Sequence, residues 1–219
     1  MKTSTLVAAA VLAAALLWSR RSEAATGETV DYFSSDDGYP YMPDMSVGSG
    51  GDAAPSDYLG AFLYMLQCAE VGQRKVENGT SYQTFYGGSL FADMSDHPVI
   101  TGEKVGVLLS AETCRRAGLG PGCVSTAAGG YQITRPTWDQ VRAAGSWGGR
   151  LPDFGPESQD EAARRILILC GALPLVERGE LTGALARASS RWASLPGSTA
   201  GQGGHSFITV AGWFNSALG

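Results

Sequence analysis

The chain has 219 residues, 44% of them hydrophobic and 17% charged, which suffices for one medium domain with appendages and a real core. Its net charge of −5 is unevenly spread: residues 1–24 carry +2, residues 25–57 carry −7, and residues 58–219 balance 13 basic against 13 acidic groups. A neutral body without a basic stripe argues against nucleic acid as the main partner.

From the N-terminus, Lys2 precedes an apolar run from Leu6 to Trp18. That run has the length of a signal h-region and is short for a membrane span. Ser22-Glu23-Ala24 places small residues where a signal peptidase requires them, yet Arg20 and Arg21 stand between the run and that site. Two outcomes stay open for residues 1–24: a cleaved signal peptide, or a signal anchor holding the chain to the inner membrane through residues 5–19. Residues 25–57 are rich in Gly, Ser and Asp and read as an acidic linker. The folded body is expected over residues 58–219.

The body begins with a helix, capped by Ser56 or Asp57, with Leu59, Phe62, Leu63 and Leu66 at helical spacing and Gly72 as the stop. Residues 73–135 read as loops around a small antiparallel sheet, with Ser81–Tyr86 and Gly130–Thr134 as its alternating pieces. Pro136 opens a short helix, and Pro156 opens a longer one stopped at Gly171. A third runs from about Glu180 to Trp192, ahead of Leu195-Pro196-Gly197. This order gives an α+β arrangement with one mixed lobe and one helical lobe.

Four cysteines agree with export. Cys114 and Cys123 bracket a Gly/Pro-containing loop and are the preferred disulfide; Cys68 and Cys170 are a second pair or two buried thiols. No C-x-x-C occurs and the only histidines are His97 and His205, so no metal and no cofactor is expected. Nothing in the sequence demands more than a monomer.

Glu70 stands apart. Leu66 lies four residues before it and Leu63 seven, so its carboxylate projects from the apolar side of the first helix. It also lies in the last turn, where the helix dipole disfavours negative charge. Both effects raise the pKa, as protonating a glycosidic oxygen requires. The competing reading is a Glu at a fraying helix end, turned out to solvent.

Six blocks settle what the rest of the body is similar to. They are Phe62-Leu63-Tyr64-Met65-Leu66 followed by Glu70, Gly87 through His97-Pro98, Ser125 through Gln132, Ser158-Gln159-Asp160, Gly171-Ala172-Leu173-Pro174, and Arg191 through Gly197. In this order and spacing they resemble the phage endolysins of the lambda type. The resemblance implies a lysozyme-like fold with a groove between its lobes and a lytic transglycosylase acting on peptidoglycan glycan strands in the periplasm. Such enzymes cut the MurNAc–GlcNAc β-1,4 bond and leave a 1,6-anhydro-MurNAc end. It further implies that Glu70 is the sole catalytic carboxylate.

A hydrolase needs a second carboxylate, and Asp93 and Asp96 are the candidates; a turn-forming role competes for both. Asp93 and Ser95 are also substrate-binding candidates, with His97 beside them as a structural hydrogen-bonder. Tyr131 and Gln132 match a groove-lining block, Tyr131 as a stacking face and Gln132 as donor and acceptor. Trp192 falls on a helix stripe and reads as core, whereas Trp138 and Trp147 are either core or carbohydrate platforms. A non-catalytic cell-wall-binding or virion module is the remaining alternative. The 99–124 segment, longer than in the family and carrying Cys114 and Cys123, is a departure from it, as are the N-terminal segment and linker.

Overall fold

Asp57 starts the first helix of the described residues, α1 (Tyr58–Val71), by accepting the Gly60 N–H on its side chain at 2.8 Å. A Cβ at position 60 would lie 2.2 Å from the Asp57 carboxylate, so any larger residue there displaces the cap. The computed structural model describes residues 57–145, 147–198 and 204–219. The expected signal segment and nearly all of the acidic linker lie outside the described residues.

Gly72 ends α1 with φ of 89°, a conformation that glycine adopts at little cost. The short α2 (Gln73–Glu77) follows at once, and after two 3-10 turns comes α3 (Pro98–Thr101), opened by Pro98. Next come β1 (Val107–Leu108), α4 (Ala111–Arg116) and β2 (Val124–Ser125). The remainder is helical: α5 (Arg135–Arg142), α6 (Pro156–Leu169), α7 (Leu173–Glu177), α8 (Leu181–Ala188) and α9 (Phe207–Leu218). Prolines occupy the first turns of α5, α6 and α7, where a missing N–H costs nothing.

The antiparallel sheet is present but displaced from its expected place. Its two strands, paired Val107 to Ser125 and Leu108 to Val124, belong to the long 99–124 segment and its flank. Ser81–Gln83 forms a 3-10 turn, and the pieces expected as strands make only single bridges, Thr84 to Leu90, Phe85 to Ala128 and Ala128 to Ile133. Gly87, Gly88 and Gly129, all at positive φ, turn the chain too soon for longer pairing.

The core gathers Phe62, Met65 and Leu66 of α1 with Trp138 of α5, Ile166 and Leu167 of α6, and Val210 and Phe214 of α9. Phe154 lies at one centre of it, edge-on to Trp138 with centroids 4.8 Å apart and to His97 at 5.0 Å. Helix α9 packs along α1, where Phe214 stacks on Tyr58 at 6.4 Å. No helix is predicted there above, although Phe207, Val210, Ala211, Phe214 and Leu218 fall at helical spacing.

Candidate active site

Glu70 is the penultimate residue of α1, half-buried where the Ser194 turn covers the helix end. Dehydration of the carboxyl pushes its pKa from 4.5 up to about 7, opposed by bonds from the Ser194 hydroxyl and the Ser194 backbone N–H. Ser194 Oγ donates to Glu70 Oε1. The carboxyl is thus turned toward the Ser194 turn and is half-buried there. Ser194 sits in the turn after α8, within the Arg191–Gly197 block, and its carbonyl accepts the His205 N–H at 2.8 Å. Neither Ser194 nor His205 carried a signal of its own in the sequence, since their partners, Glu70 and Ala69, lie 124 and 136 positions away.

Asp93 and Ser95 form a local turn. Asp93 Oδ1 accepts the Ser95 N–H at 2.9 Å, and Ser95's hydroxyl and backbone together hold the exposed Asp93 carboxyl below the usual range. Glu103 closes the loop from the other side, accepting the Ala92 and Asp93 N–H groups. Asp96 is occupied structurally. Burial works against its charge, but bonds from Trp138 Nε1, the His97 N–H and Arg142 Nη1 win and keep its pKa low. His97 is buried between Ile133 O, at 3.1 Å from Nε2, and the Val99 N–H on Nδ1, a structural hydrogen-bonder. Trp138 and Trp192 are core residues, while Trp147 is half-buried under the Arg165 guanidinium at 5.7 Å.

Tyr131 corrects an expectation. Its ring is 0% exposed and offers no stacking face to a sugar. The reason is its hydroxyl, which donates to Asp160 Oδ1 at 2.6 Å and accepts from Gln67 Nε2 at 3.0 Å, drawing the ring into the core. Tyr82 joins the same cluster, donating to Asp160 at 2.8 Å. Gln132 takes φ of 46°, rare outside glycine, and is held there by its own amide donating to Thr84 O and Gly129 O.

The cysteines divide. Cys114 and Cys123 are disulfide-bonded with Cα atoms 5.8 Å apart. Cys68 and Cys170 are free thiols, so they are not a second bridge. Each is engaged on its own helix, Cys68 with Tyr64 one turn back and Cys170 with Leu167 O at 3.5 Å.

Two concavities flank this region. One of about 310 Å³ is bounded by Leu63, Tyr64, Gln67, Tyr82 and Asp160; one of about 60 Å³ is bounded by Gln132, Thr134, Thr137 and Arg191. Glu70 lines neither.

A family model described as Endolysin matches residues 60–219. The chain belongs to the endolysin family. The endolysin of Escherichia phage lambda is 37% identical over 164 residues, which is 73% of this chain and 90% of that protein. The endolysin of Escherichia phage P2 is 34% identical over 167 residues, 74% and 93% of the two chains. Among solved structures, bacteriophage lambda lysozyme complexed with a chitohexasaccharide aligns with TM-score 0.56 and 34% identity, covering 76% of this chain and 97% of that one. These matches establish the lysozyme-like α+β fold. In this endolysin, therefore, the dehydrated Glu70 and its Ser194 partner are built into a fold whose lambda-phage member has been seen with a sugar oligomer bound.

Proposed function

We propose that this endolysin degrades peptidoglycan as a lytic transglycosylase, cutting the MurNAc–GlcNAc β-1,4 bond with Glu70 as acid and then base. The observation that carries the reading is the Glu70 carboxyl at the end of α1, bonded by the Ser194 hydroxyl and pushed by dehydration to a pKa of about 7. Such a group is partly protonated at neutral pH, so it can give a proton to the leaving glycosidic oxygen and then take one back. The Ser194 hydroxyl holds Oε1 as an acceptor, which directs the acid's own proton to Oε2.

The second carboxylate that a hydrolase requires has no good claimant among the candidates. Asp96 is spent on Arg142 and Trp138, and Asp93 is turned onto its own loop. The substrate's C6 hydroxyl then serves as nucleophile, attacking C1 as Glu70 removes its proton, and its tethering to the ring supplies much of the rate. The chitohexasaccharide bound by the lambda lysozyme supports a glycan chain as ligand here. Export through the N-terminal segment, with release by cleavage or retention as an anchor, completes the proposal and brings the enzyme to the periplasmic face of its substrate.

Mass spectrometry of purified sacculi digested by the enzyme tests the reaction type. Fragments ending in 1,6-anhydro-MurNAc are expected, lighter by one water than hydrolytic products. Reducing MurNAc ends as the primary product refute the transglycosylase assignment and point to a muramidase.

A further inference from the structure

Glu70 sits where a helix runs out of internal hydrogen bonds. The last carbonyls of α1 have no donor within the helix and need partners from elsewhere. Gly72 N–H takes the Cys68 carbonyl at 3.1 Å. The next carbonyl, that of Ala69, lies 3.2 Å from His205 Nε2. A carbonyl only accepts, so this contact requires the imidazole to carry a proton on Nε2.

The same histidine reaches the other half of the site. Its backbone N–H donates to Ser194 O at 2.8 Å, and Ser194 in turn bonds the Glu70 carboxyl through its hydroxyl and its N–H. Ala69, Glu70, Ser194 and His205 therefore close a ring in which His205 grips the residue before the acid and the residue that holds the acid. The ring of bonds is anchored. The imidazole packs edge-on against Trp213, centroids 5.0 Å apart, and Trp213 Nε1 donates to Gln73 Oε1 at 2.9 Å. Gly204 lies so close to the 194–195 turn that a Cβ on it would stand 2.7 Å from Leu195 O. Directly after, Ser206 caps α9, accepting the Thr209 N–H at 3.2 Å.

We propose that His205 is a positioning residue for Glu70, fixing the end of α1 against the Ser194 turn so that the carboxyl keeps its aim. The inference rests on the reading of Glu70 as the acid/base. It assigns His205 no proton transfer, because its ring bonds a backbone carbonyl. Displacing a reacting group by about 1 Å costs on the order of 10²-fold in rate, so loss of this tie appears in turnover rather than in substrate affinity.

The test compares His205→Phe, which keeps a ring against Trp213 and removes the donor, with His205→Gln, which keeps a donor. Steady-state kinetics on soluble glycan fragments of peptidoglycan give kcat and KM, with Tm measured on the same samples and Glu70→Gln as a control. The expected result is that His205→Phe lowers kcat by roughly 10- to 100-fold with KM little changed, and that His205→Gln recovers most of it. Wild-type kcat in folded His205→Phe overturns the proposal, as does a loss confined to KM or a failure of His205→Gln to improve on it. If His205→Phe does not fold, His205→Ala takes its place in the same comparison. An inactive Glu70→Gln beside a fully active His205→Phe rejects this inference alone, whereas an active Glu70→Gln rejects the reading beneath it.

Discussion

Ser194 Oγ donates to Glu70 Oε1, joining the end of α1 to a turn that arrives 124 residues later. The bond stabilises the charged carboxylate and so works against the dehydration that raises its pKa. Ser194→Ala removes the hydroxyl's part of that opposition and leaves the backbone N–H in place. Hydrogen bonds to charged groups contribute about 1.5–3 kcal/mol, so the Glu70 pKa is expected to rise further by about one unit or more. The pH–activity profile checks it: the alkaline limb moves upward, while the maximal rate falls as the carboxyl loses its aim.

Glu70 also leaves a mark on stability. Its proton is bound more tightly in the folded protein than in the unfolded chain, where the pKa is near 4.5. The destabilisation is absent well below that value, grows as pH rises, and is complete above about 7. Glu70→Gln abolishes it. The variant is expected to match the wild type near pH 4 and to exceed it by about 3 kcal/mol at pH 8. Urea unfolding at the two pH values measures this, and an equal gap at both contradicts a dehydrated carboxyl.

Asp96 is expected to behave in the opposite way. Its carboxylate holds Arg142, Trp138 and the His97 N–H together, so Asp96→Asn strips charge from a partly buried ion pair. A loss of about 1–3 kcal/mol of stability is expected. Activity at a temperature where the variant stays folded remains far above the about 10²-fold loss of a missing acid/base. A folded but inactive Asp96→Asn identifies a second catalytic carboxylate.

Helices α1, α5, α6 and α8 were legible in the sequence for a local reason. The stripe of Phe62 and Leu66 and the stops at Gly72 and Gly171 act over one or two turns, and they fixed α1 and α6. Glu70's place on that stripe followed from the same periodicity. The small Cys114–Cys123 loop was readable because its ends are only nine residues apart. What escaped were contacts between distant segments. Tyr131 looked like a groove aromatic because nothing nearby announced that Asp160 and Gln67 would take its hydroxyl inward. Cys68 and Cys170 could pair on paper, but Cys68 lies within α1 and Cys170 caps the end of α6, and both are free. Ser194 and His205 matter only because α9 packs back along α1, and no local pattern encodes that return.

The most direct measurement is the turnover of purified sacculi by folded Glu70→Gln beside the wild type, with circular dichroism confirming that both are native. Glutamine keeps the shape and the acceptor for Ser194 but can neither give nor take the proton. The expected result is a fall of roughly 10²–10⁴-fold in the rate of glycan release. Release at near wild-type rate from the folded variant contradicts the assignment of Glu70 as the acid/base.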